Sequence, residues 1–148
     1  MYFLEMFGKT TEILKRMYKD EELIKCKYFH IEDIKIDRSS INFGISLPLP
    51  KNPPENVTKK KRNIAGIGIS IFIDGKLNLD KYYREGKNEL EIFKIEVDRL
   101  DKKRYAIIMA SNDNTKLYVE TSYLSAGFGF SSVEDWYAKE IEKICKIT

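Results

Sequence analysis

His30 is the chain's only histidine, and an imidazole is the usual proton shuttle near neutral pH. Tyr28, Phe29 and Ile31 surround it, with no acidic partner at a recognisable spacing. A buried structural histidine is therefore the better reading than a catalytic base. A Ser-His-Asp arrangement has no support in the sequence, which lacks a G-x-S-x-G elbow. Glu32 and Asp33 are adjacent, so on a strand they point to opposite faces and cooperate only if the chain bends between them. Glu89 and Glu91 share a face, but paired carboxylates on an outer sheet face are far more often solvating than catalytic. With neither nucleophile, base nor metal ligands in view, the chain reads as a protein that is not an enzyme and needs no cofactor.

The glycine runs fail as phosphate loops on context. Gly66-Ile67-Gly68-Ile69-Ser70 lies inside a strand pattern, with no helix start behind it and no Lys-Ser/Thr. Close packing explains these glycines better, although together with Gly127 and Gly129 they could line a small-ligand pocket. Lys59-Lys60-Lys61-Arg62 is the most concentrated charge in the chain. A solvated loop is the default for such a run. Its functional reading is a grip on phosphate or on an acidic protein surface, extended by Tyr82, Tyr83 and Arg84. Without aromatics alternating on a sheet face, nucleic-acid binding is weakly supported. Cys26 and Cys145 are the only cysteines, and no CxxC or Cys/His spacing suggests structural zinc.

Composition sets wider limits. The 148 residues are 43% apolar and 33% charged, which fits one globular domain, 1–148, rather than a disordered chain. Lys plus Arg number 26 against 23 acidic residues. A net charge of +3 is too small to argue for nucleic-acid or membrane binding, and it weighs against an acidic mimic of nucleic acid. No cationic leader precedes a long apolar stretch and no run approaches a membrane span, so a cytosolic location is expected.

The elements that must position these residues follow from period-two alternation. Ile41, Phe43, Ile45 and Leu47 alternate with Asn42, Gly44 and Ser46, predicting a half-buried strand, while Ala65, Ile67, Ile69, Ile71 and Ile73 alternate with Ile64, Gly66, Gly68, Ser70 and Phe72, predicting a strand buried on one face and closely covered on the other. Between them, Pro48, Pro50, Pro53 and Pro54 cannot feed a sheet ladder, so this stretch crosses over or around the sheet. Residues 27–36 read as β-like, and Asp37-Arg38-Ser39-Ser40 predicts a hairpin between them and 41–47. The change of face near Glu32-Asp33 predicts a bulge or a strand that begins only at Ile31, and that near Ile92 a bulge. Asp74-Gly75 predicts a tight hairpin into Leu77 and Leu79.

The run 105–110, YAIIMA, is apolar on both faces and belongs at the centre of the sheet. At the ends, Thr10 or Thr11 is expected to cap a short helix through Lys19, and Asp20, Glu21 and Glu22 to open a second short helix. Ser132 is expected to cap a C-terminal amphipathic helix whose stripe is Val133, Trp136, Tyr137, Ile141 and Ile144. That helix is the expected occupant of the space above Gly127 and Gly129. The predicted fold is α+β, a largely antiparallel sheet or meander of about seven to eight strands with short N-terminal helices and one C-terminal helix. Free strand edges leave a homodimer open.

The middle of the chain, roughly residues 24 to 130, resembles a bacterial toxin-immunity protein, in the immunity family numbered fifty among those encoded beside polymorphic toxins. A strand ending in Leu47-Pro48, the crossing with Pro50, Pro53 and Pro54, and Asn63 opening a long alternating strand carry the likeness. Val57 stands where that family is expected to carry Trp, and Asp80-Lys81-Tyr82-Tyr83 where a Gly-Trp pair is expected. The resemblance implies a non-catalytic inhibitor that binds one cognate protein toxin. It brings no catalytic residues, and Lys59 to Arg62 with Tyr82, Tyr83 and Arg84 become candidates for the contact face.

Overall fold

The computed structural model describes residues 1–19, 23–80, 91–112 and 115–143. After residue 27 the alternating pattern dominates, and the strands follow it: β1 (Tyr28–Ile36), β2 (Ser40–Pro48), β3 (Ile64–Phe72), β4 (Leu77–Leu79), β5 (Glu91–Arg99), β6 (Tyr105–Ser111), β7 (Lys116–Thr121) and β8 (Leu124–Ser131). The helices are short: α1 (Lys9–Met17), α2 (Glu55–Lys59) and α3 (Asp135–Glu142), with 3₁₀ turns at Phe3–Glu5 and Leu23–Lys25. All pairings are antiparallel, in one sheet of order β4-β7-β6-β5-β1-β2-β3-β8. The fold is thus α+β with eight strands among the described residues. The doubly apolar β6 lies between β5 and β7, inside the sheet. Among the described residues no helix is long and apolar enough to cross a membrane.

The predicted Asp74-Gly75 hairpin does not form. β4 pairs with β7, not with β3. Instead β3 and β4 run as one bent strand against β7 and β8, held at the corner by Phe72 N donating to Tyr123 O at 3.0 Å, Asp74 N to Glu120 O at 3.0 Å and Glu120 N to Lys76 O at 2.9 Å. Pairing continues around this corner, so the two ends of the strand order share one ribbon and the sheet curls. Gly75 sits there at φ +151°, where a Cβ would lie 2.8 Å from Glu120 Oε1 and 3.1 Å from Arg104 Nη2. The backbone angle is what calls for glycine, and a Cβ would in addition displace the ends of the Glu120 and Arg104 side chains. The local signal was real, but it marks a bulged corner rather than a two-residue turn.

Within the curl lies the core. Ile41, Phe43, Ile45 and Leu47 of β2 stand in register with Ile71, Ile69, Ile67 and Ala65 of β3, and all eight are buried. The N-terminal segment covers them: Phe3, Leu4, Phe7, Leu14, Tyr18 and Leu23 join the same cluster, with the Phe3 ring 6.1 Å from Phe29 and 6.5 Å from Phe43. Neither threonine caps α1, whose N-cap is Gly8. Thr11 is buried, accepting from Phe7 N and donating to Leu4 O. Thr10 reaches across to donate to Ala126 O at 2.9 Å, fastening α1 to β8.

The predicted bulge in β1 is present. Its pairing with β2 slips between Glu32 and Lys35, and Asp33 takes φ +53°. The extra residue brings Ile36 opposite Ile41 while Ile31 stays opposite Ile45, so apolar residues from both halves of the strand reach the core. At Ile92 there is no bulge. It opposes His30 in an unbroken register and lies on the outer face; Leu90, Asp20, Glu21 and Glu22 fall outside the described residues. The crossing loop holds α2, anchored by buried Val57.

Candidate functional site: the open glycine face

The outer face of the same strands is different in kind. Register places Gly44, Gly68 and Gly127 side by side on β2, β3 and β8, with Ser46, Gly66 and Gly129 in the next row on one side and Asn42, Ser70 and Ser125 on the other. A Cβ built at Gly68, Gly127 or Gly129 meets nothing within 4 Å, and at Gly66 or Gly44 it meets only ordinary contacts at 3.5 and 3.6 Å. Close packing, the expected reason for these glycines, is therefore not the reason. The sequence pattern puts Gly44 on the face opposite Ile41, Phe43, Ile45 and Leu47; only register brings it beside Gly68.

The C-terminal helix does not lie on Gly127 and Gly129. It packs over β2, where Ala138 and Ile141 bury against Ile64, with Val133 and Tyr137 alongside. Asn63 decides the placement. Its amide donates to Val133 O at 2.7 Å and accepts from Val133 N at 2.8 Å, pinning the chain that leads into α3 to the start of β3. The predicted Ser132 cap is absent: Glu134 is the N-cap, without a side-chain bond, and Ser132 donates to Lys61 O. Trp136, expected in the buried stripe, is 61% exposed and meets the Tyr137 ring edge-on at 5.6 Å.

Two side chains tie α3 to β1. Tyr137 donates to Glu32 Oε2 at 2.9 Å; burial, and then this bond, push the Tyr137 hydroxyl up to about 12. His30, 5% exposed, donates from Nε2 to Glu140 O at 3.1 Å. Burial lowers its pKa more than Glu140 raises it, so the ring is neutral, and its Nδ1 is buried without a partner. These contacts make His30 a tie between β1 and α3.

Beside α3 the glycine floor opens into two adjoining hollows. One, of about 440 Å³, is walled by Asp33, Lys35, Asn42 and Ser125. The other, of about 360 Å³, is walled by Glu32, Ser46, Phe130 and Ser131. The bend at Asp33 thus brings the adjacent carboxylates of Glu32 and Asp33 to the same face, in neighbouring hollows. No group of three or more His, Cys, Asp or Glu converges as a metal site among the described residues. Cys26 is buried, and Cys145 lies outside the described residues.

The basic loop stands at one end of this face, before Asn63, and its four cations differ. Arg62 donates to Phe130 O at 2.8 Å, so it serves the strand β8. With Thr10 on Ala126 O, this leaves less of that strand's backbone for edge pairing. Lys59 pairs with Glu55 at 3.1 Å on the exposed side of α2. Lys60 and Lys61 are exposed. Tyr82, Tyr83 and Arg84 lie outside the described residues. Of the prolines in the crossing, Pro50 is buried, Pro53 half-buried and Pro54 exposed as the N-cap of α2. Compared with known proteins, the chain matches no family model, no curated protein and no solved structure.

Proposed function

We propose that this chain is an immunity protein, a non-catalytic inhibitor that neutralises one cognate bacterial protein toxin by binding it in the cytosol. The observation that carries the reading is the glycine floor across β2, β3 and β8, open at its β3 and β8 positions, where a Cβ at Gly68, Gly127 or Gly129 would meet nothing within 4 Å. Glycine inside a strand costs roughly 0.5–1 kcal/mol relative to alanine. Glycines with no packing reason are accounted for when a second molecule lies on the floor they leave bare. The likeness of residues 24 to 130 to an immunity family supplies the kind of molecule.

Lys60 and Lys61, exposed at the end of the floor, suit an acidic patch on that toxin, where complementary charge speeds encounter more than it deepens affinity. The experiment is co-expression with the product of the gene immediately upstream, scoring survival and co-purification. A toxic product that is neutralised in a stable complex is the expected outcome; unchanged killing without a complex rejects the reading. Filling the floor with Gly68→Val is expected to abolish the complex, whereas Lys60→Glu with Lys61→Glu slows its association. The hollows of about 440 and 360 Å³ favour a second reading, a module for a small or phosphate-bearing ligand. A ligand co-purifying with the unmutated chain supports that reading.

A further inference from the structure

The contacts of His30 serve no step of the binding reading, yet they hold α3 in place from beneath. An eight-residue helix is not stable alone in water, so α3 is helical because it is docked. Its docking rests on Ile64, Ala138 and Ile141, on Asn63 at its start, and on Tyr137 and His30 along its length. His30 meets the last turn, where the Glu140 carbonyl accepts its Nε2–H. The other ring nitrogen, Nδ1, is buried and unpartnered. A neutral ring tolerates that arrangement, because Nδ1 is then only an unused acceptor. A protonated ring does not, since it places a second N–H and a charge where no acceptor stands.

We infer that His30 is a pH-sensitive latch: protonation of its ring releases α3 from the sheet. Among the described residues the groups that face it are few. From α3 come the Glu140 carboxylate, which favours the charged ring but is paired with Lys143 at 3.0 Å, and Tyr137, committed to Glu32. From β1 itself come Tyr28 and Glu32, two residues to either side. β2 presents Ser46 and β5 presents Ile92, with Lys94 of β5 paired to Glu96 at 3.0 Å. Burial outweighs the favourable charge of Glu140. The sign follows: the folded ring holds its proton less tightly than an unfolded one, so the docked state is fully stable above about pH 6.5 and loses stability as pH falls below it. Release bares Ile64 and the Ser46–Gly66 row, extending the open face toward β1.

The chain offers two clean reporters, the one histidine and the one tryptophan, Trp136 on α3. An NMR titration of the His30 ring is expected to give a pKa below 6.5; a value at or above 6.5 overturns the latch. Hydrogen exchange is then followed between pH 7.5 and 5. Protection factors of residues 137–142 are expected to fall about tenfold for each unit by which the His30 pKa lies below 6.5, while those of β3 hold, and Trp136 emission changes with the same midpoint. Equal protection of α3 at both pH values overturns the inference. His30→Gln keeps an N–H donor without a titratable ring, and is expected to abolish the pH dependence. Its persistence in a folded Gln variant also overturns the inference, and the two measurements on the unmutated chain decide the matter should that variant not fold.

Discussion

Two faces of the same three strands differ more than any two segments of the chain. On the inner face, β2 and β3 oppose Ile41 with Ile71, Phe43 with Ile69 and Ile45 with Ile67, all buried under the N-terminal segment. On the outer face, the residues between them are Asn42, Gly44, Ser46, Gly66, Gly68 and Ser70, and α3 covers only one side of them. A strand must place its side chains on alternate faces, so both surfaces are written in one stretch of sequence. The inner surface holds the protein together, and the outer one is stripped of side chains where bulk would add stability.

The largest effect that breaks this contrast is a cavity on the inner face. Ile67→Ala is expected to cost about 3 kcal/mol, within the usual range for such a truncation, read as a lower urea midpoint. Gly75→Ala comes next: with φ at +151° and Glu120 at 2.8 Å, it is expected to lose about 2 kcal/mol and to loosen the β3–β4 corner in hydrogen exchange. Asn63→Ala removes both bonds to Val133. A loss of about 1–2 kcal/mol is expected, together with faster exchange in α3 than in β3.

Smaller still is the alkaline limb. The Tyr137 hydroxyl is held up to about 12, so the folded state keeps its proton where an unfolded tyrosine, near 10, has lost it. Stability is full below about pH 10 and declines as pH rises toward 12. Tyr137→Phe is expected to flatten that limb in an alkaline unfolding series. The smallest change has the opposite sign. Gly127→Ala fills open space on the outer face and is expected to raise stability by roughly 0.5 kcal/mol, while weakening the complex proposed above.

How much was legible beforehand varies with the range of the interaction. The hairpin at Asp37 is local: its Oδ1 accepts from Ser39 N and Ser40 N, both at 3.0 Å, and these bonds hold its pKa below the usual value. The bulge at Asp33 was legible because apolar residues changed phase on either side of it. The site was legible only in part. Gly66, Gly68, Gly127 and Gly129 stand out in the sequence, but as close-packed positions or the lining of a small-ligand pocket, with the C-terminal helix expected above Gly127 and Gly129. The partners of Gly44 and Tyr137 carried no local signal, since Gly68 and Glu32 are distant from them in sequence. The four-residue basic run read as one patch and divides on folding, because Arg62 binds a backbone carbonyl and Lys59 pairs within α2.

The sequence by itself determined the strands and which of their faces is buried, because alternation with a period of two and β-branched side chains act within a few residues. It determined, too, that a proline-rich crossing separates β2 from β3. Tertiary structure alone decided that β4 closes onto β7 rather than β3, and that α3 sits on β2 and leaves the glycines open. Strand pairing is settled by backbone hydrogen bonds between segments far apart in the chain, such as those of Glu120 with Asp74 and Lys76. The seat of an eight-residue helix is settled by a handful of side chains, Asn63, His30, Glu32 and Ile64, that only the folded sheet brings together.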